Sequence, residues 1–201
     1  MISWFAAAAI VLPVGTSDLP MRVLREAPPS VHRARPLVVW VETFVDPNGR
    51  IQDCEVMAVF GDARAAKELC RTLKGEEMNP GAGPDGNPVH GVFRTKIAIT
   101  AAPVEPGFAE AKLPADAVLN VETLPVGAGE SLRIGVTVLV DETGAVASCD
   151  SGSGEYGNYR QVACQQLSAM TMPIRESKGD AIAYVSPVAV EFTVQAPTTD
   201  R

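Results

Sequence analysis

Two ten-residue stretches constrain this chain more than anything else in it: VDPNGRIQDC at residues 45–54 and VDETGAVASC at residues 140–149. Each follows an alternating apolar run. Each carries Asp, then Gly three positions later, then Cys five positions after that, with a second Cys 15 or 16 residues further on. The correspondence extends outward. Leu19-Pro20 and Val23-Leu24 match Leu113-Pro114 and Val118-Leu119, and Cys70 matches Cys164, at offsets that stay between 93 and 95 residues. Self-similarity at a fixed offset marks a duplicated structural unit. The reading is therefore of two tandem units, residues 18–100 and 113–196, joined by a linker at 101–112 and followed by a tail at 197–201.

Within each unit the periodicities name the elements. Val39, Val41, Thr43 and Val45 fall on one face of a strand over Leu37 to Val45, as Ile134, Val136, Val138 and Val140 do in the second unit. Asp46-Pro47-Asn48-Gly49 and Asp141-Glu142-Thr143-Gly144 predict turns closed by a glycine of positive φ, hence hairpins whose second strands run from about Arg50 to Phe60 and Ala145 to Ser151. Asp62 reads as the cap of a helix with Ala66, Leu69, Cys70 and Leu73 on its buried stripe. Asn158 reads as the cap of its counterpart, with Val162, Ala163, Leu167 and Met170. Final strands follow at Val89 to Thr100 and up to Val194; Pro187 in the latter predicts a sheet edge, since proline cannot donate to a ladder. The run Met21 to Leu24 reads as a further edge strand. The expected fold class is α+β, two tandem copies of a small antiparallel sheet with one packed helix.

Cys54 is placed on a hairpin strand and Cys70 on the helix stripe, so a bridge between them would staple helix to sheet, and Cys149 with Cys164 would repeat it. Paired cysteines suit an oxidising compartment. Residues 1–17 agree with that: they contain no charged side chain, are too short to span a bilayer, and read as a signal peptide ending in Gly15-Thr16-Ser17. Membrane association would follow only if this segment were retained as an anchor. The formal charge of -7 gives no basic patch for nucleic acid. His32 and His90 read as surface residues, and no metal or cofactor is expected.

The order of these motifs resembles the TonB C-terminal domain family of Gram-negative bacteria. The matching positions are Val45, Asp46, Gly49, Val56, Gly61, Pro80, Gly86, Pro88 and Val89, then Val140, Asp141, Gly144, Ser151, Gly152, Pro173 and Gly179. The resemblance implies a periplasmic, non-catalytic module that binds a protein or peptide, such as a segment of an outer-membrane transporter, by pairing it to an edge strand. It places that edge around Val92, Arg94 and Lys96, or Val188, Val190 and Phe192. One alternative is a structural module of the cell envelope. Another is an aspartic-protease-like hydrolase in which Asp46 and Asp141 share a proton, suggested by the strand and loop of residues 138–148.

Overall fold

The computed structural model describes residues 10–33, 36–99, 113–152 and 154–194. The first nine residues of the expected leader, the linker at 101–112 and the tail at 197–201 lie outside the described residues. In chain order the elements are β1 (Val14–Gly15), α1 (Leu19–Glu26), α2 (Pro29–Arg33), β2 (Leu37–Val45), β3 (Ile51–Phe60), α3 (Ala63–Leu73), β4 (Met78–Asn79), β5 (Gly81–Ala82) and β6 (Pro88–Ile99). They continue with β7 (Ala117–Val121), β8 (Ser131–Val140), β9 (Val146–Asp150), α4 (Gly157–Leu167), β10 (Arg175–Ser177), β11 (Asp180–Ile182) and β12 (Tyr184–Val194).

The hairpins form as their turn residues dictate. Gly49 N donates to Asp46 O at 2.9 Å and Gly144 N to Asp141 O at 3.1 Å. Both glycines have positive φ, 82° and 84°, a conformation that costs other residues a clash between Cβ and backbone. Asp62 caps α3 by accepting from Arg64 N and Ala65 N. Cys54 bridges to Cys70 and Cys149 to Cys164, at Cα separations of 5.5 and 5.6 Å, so each helix is tied to its hairpin.

The two separate antiparallel sheets expected are instead one mixed sheet that both halves share. Its order is β3-β2-β6-β12-β8-β9, with β5 on β6 and β7 on β12, eight strands in all. The two halves join where β6 and β12 run parallel through His90↔Tyr184 and Gly91↔Val185. Leu37, Val39, Val41 and Val45 point to one face, into the core under α1 and α3. Phe44 and Val92 point to the other, into the core formed with α4. The two helices thus lie on opposite faces. That is why every residue of β2 except Trp40 is buried, whereas a sheet packed on one side only would show alternation.

Four expectations need correction. Met21 to Leu24 is helical: Leu19, Val23 and Ala27 are buried at four-residue spacing, and Asp18 pairs with Arg22 at 2.8 Å one turn away. The residue that opens α4 is Tyr156, in the left-handed region at φ 66°, not Asn158. Ala163 and Leu167 carry that helix's buried stripe, with Val162 and Met170 exposed. Finally, β12 is internal despite Pro187. Ala189 N turns away from β8, toward Asp116 Oδ2 at 2.7 Å, and so, two residues earlier, does the proline nitrogen. It falls in the gap between the β6 pairing at Tyr184–Val185 and the β7 pairing at Val190–Val194, so no ladder bond is lost.

Candidate functional site: one side of strand β6 beside an apolar groove

Strand alternation decides which side of β6 each backbone group faces. Asp46 N donates to Arg50 O, on the β3 side, so even-numbered N–H groups of β2 point to β3 and odd-numbered ones to β6. The register of β2 with β6 is unbroken from Val45↔Gly91 to Leu37↔Ile99. Gly91, Phe93, Thr95 and Ile97 therefore bond β2, and the N–H and C=O of Val92, Arg94, Lys96 and Ala98 point the opposite way. Beyond Gly91, no strand among the described residues runs along that second side.

A groove of about 450 Å³ lies next to it. Phe93, Thr95 and Ile97 line one wall. Leu19, Pro20, Val23 and Leu24 of α1 line the other, with Ile51, Leu73, Met78 and the segment Val14 to Thr16 completing the lining. A strand laid along β6 would send alternate side chains into this apolar space.

The expected site residues divide between edge and interior. Val92 is buried, 1 % exposed, in the core with Phe44. Lys96 lines the groove and its ammonium lies 5.7 Å from the Trp40 ring centroid, a cation–π distance. Arg94 serves as a clasp between the halves: it pairs with Glu42 at 2.7 Å and, through both carboxylate oxygens, with Asp116 at 2.8 Å. Burial acts to lower its pKa, but the hydrogen bond that Arg94 donates to Glu42 and the charge of Asp116 outweigh it and the guanidinium is held charged more firmly than usual. Asp116 N in turn donates to Ala189 O at 2.8 Å. Arg175 is the second partner of Glu42, which is itself only 6 % exposed. This network fills the fork where β6 and β12 separate.

Val188, Val190 and Phe192 are not at an edge. They are at most 1 % exposed, inside the core beneath α4, and their strand is flanked by β8 on one side and by β6 and β7 on the other. Their alternation reported burial on one face and carried no information about how many neighbours the strand would acquire. Asp46 and Asp141 are not brought together. They follow β2 and β8, three inter-strand spacings apart, roughly 14 Å, while a proton-sharing dyad needs carboxylates about 3 Å apart. Each carboxylate is instead spent on its own turn: Asp46 accepts from Asn48 N and Arg50 N, Asp141 from Thr143 N and Ala145 N. The Thr143 hydroxyl and these amides hold the Asp141 carboxyl below its ordinary range.

Sequence reasoning missed the groove's α1 wall and Glu42. The first had a signal in the four-residue spacing of Leu19, Val23 and Ala27. The second had one too, as the single acidic residue in the apolar run from Leu37 to Val45. Among the described residues no group of three His, Cys, Asp or Glu is arranged to hold a metal ion, and no helix is long and apolar enough to cross a membrane. The two disulfides fit an oxidising environment outside the cytoplasm. Comparison of the chain with family models, curated proteins and solved structures found no match.

Proposed function

We propose that the chain is an exported, non-catalytic binding module of the periplasm, built from two tandem TonB-C-like units, and that it captures an extended segment of a partner protein along β6. One observation carries the reading. The second side of β6 runs past Gly91 with no strand paired to it among the described residues, directly above an apolar groove. Backbone groups at such an edge supply affinity, and the groove selects alternate side chains. An exposed edge is otherwise a hazard that proteins cover or charge. A segment of an outer-membrane transporter is the partner that the family resemblance suggests.

The test is photo-crosslinking from position 98 in a Gram-negative host, with the captured segment identified by mass spectrometry and resynthesised. Ala98→Pro removes a donor that points away from β2, so the fold survives while affinity for that peptide falls by about tenfold or more. Ile97→Pro removes a bond to β2 instead and disrupts the sheet itself. Equal affinity of the unmodified and Ala98→Pro proteins, or no specific crosslink at all, would defeat strand addition here and leave a structural role in the envelope.

A further inference from the structure

The chain already shows one strand added at an edge. Val14 and Gly15 pair antiparallel with Asn79 and Met78, and Val11 exchanges two backbone hydrogen bonds of 2.9 Å with Ala82. The strand that accepts Val11 pairs in turn with β6 through Gly81↔Val89 and Ala82↔Pro88. The segment from Ile10 to Gly15 is thus the outermost strand of a ribbon rooted in the main sheet.

Its seat is shaped for what it holds. Pro13 is buried, and Ile10 is only 7 % exposed. A Cβ on Gly91 would stand 2.5 Å from Pro13 Cγ and 2.9 Å from a Val185 methyl, and one on Gly81 would stand 3.1 Å from Val11 O and 3.3 Å from Pro13 Cδ. The Gly81 Cβ would also meet that Val185 methyl, at 2.5 Å. Neither glycine is among those of positive φ, so backbone conformation does not call for glycine at either place. Room does, and the room is shared by Val185 and the proline ring. The seated sequence, Ile-Val-Leu-Pro-Val-Gly, is uncharged throughout.

We infer that the strip from Met78 to Ala82, with Gly81 and Gly91 at its base, is a second peptide site. It takes an extended, uncharged, apolar segment with a central proline, and Ile10–Gly15 is its occupant in the uncleaved chain. The inference rests on the proposed reading of residues 1–17 as a leader removed on export, because removal is what empties the seat for a partner of the same chemistry. It also links the two sites. Val14, Gly15 and Thr16 also line the groove beside β6, so vacating the seat changes that groove.

The test uses a fluorescent synthetic peptide of residues 10–16 as probe, with two proteins: the processed form recovered from the periplasm of a Gram-negative host, and the uncleaved chain. The processed form is expected to bind the probe saturably. Probes with an N-methyl group on Val11, or with Pro13→Leu, are expected to bind at least about tenfold more weakly. The uncleaved chain, its seat filled in cis, is expected to bind at least about tenfold more weakly than the processed form, and to regain binding when Pro13→Asp loosens its own segment. Equal binding of all three probes, or no binding to the processed form, overturns the proposal. Should the host return only uncleaved chain, the reading of residues 1–17 as a removed leader fails by itself. The Pro13→Asp chain then decides alone: gained binding supports the seat and no gain overturns it.

Discussion

Residues 19–24 and 113–119 match in sequence and differ in structure, and the difference leaves β12 flanked by β7 while, among the described residues, no strand lies along the second side of β6 past Gly91. In the first stretch Leu19, Val23 and Ala27 recur every four residues, Pro20 lies in the first turn, and Asp18 reaches Arg22 across one turn. These are helix signals, and α1 stands off β6 as the far wall of the groove. In the second stretch Ala117, Leu119 and Val121 alternate and pack on the α4 core, with Val118 exposed between them. That is a strand signal. β7 accordingly pairs with β12 from Val190↔Ala117 to Val194↔Val121 and closes it. Two or three side chains have moved an element from a ladder to a wall.

The strongest challenge to this comparison is to remove the aromatic core of the closed half. Phe192, fully buried and edge-on to Tyr159 at 5.2 Å, should cost about 3–5 kcal/mol when replaced by alanine, measured by urea unfolding. Because β6 and β12 share one sheet, the expected loss appears in a single transition followed by Trp40 fluorescence in the other half. Two separate transitions would break the one-sheet reading.

The disulfides sharpen the same comparison. They close loops of 16 and 15 residues, so the chain-entropy model assigns each about 3 kcal/mol. Replacing Cys54 and Cys70 together by alanine should lower the urea midpoint about as much as replacing Cys149 and Cys164. A large inequality would show that one half carries the stability of both.

Smaller effects should separate the two helix starts. Asp62→Ala removes a side-chain cap and should cost about 1 kcal/mol. At Tyr156 glycine would relieve a left-handed Cβ penalty of about 1 kcal/mol but strip a half-buried ring from the α4 core, so Tyr156→Gly should not stabilise the fold.

The smallest concerns the seam. His90 stacks on Phe44 with ring centroids 5.5 Å apart, and burial lowers its pKa, partly offset by the charge of Asp46. A histidine whose folded pKa is depressed contributes stability above its unfolded pKa, about 6.5, and that contribution is lost as pH falls from there through the folded value. The melting temperature should fall between pH 7 and pH 5, and by less in His90→Gln.

The expected site residues show how unevenly tertiary information is written in a chain. The strand that carries Arg94 and Lys96 was legible as a final strand, because the turn-rich loop before it bounds it locally. That Arg94 would be drawn into a clasp with Glu42 and Asp116 was not, since its partners lie 52 and 22 residues away. Pro187 shows the same limit. Its missing N–H excluded a bond on one side, and only the divergence of β6 and β7 decided that this side had none to offer.

By itself the sequence determined the local structure of each half. Asp46, Gly49, Asp141 and Gly144 set the hairpins, Asp62 set the start of α3, and the matched cysteines set the staples, because turns, caps and loop closure depend on residues within one or two turns of chain. Only the tertiary structure decided that the halves share one sheet, that their helices lie on opposite faces, and that, among the described residues, β12 is flanked by strands on both sides and β6 past Gly91 by one. Strand pairing joins backbone groups that every sequence possesses, so the choice of neighbour falls to whichever side chains fill the space around them. Here those are Asp116 in the fork, β7 along β12, and α1 set back from β6.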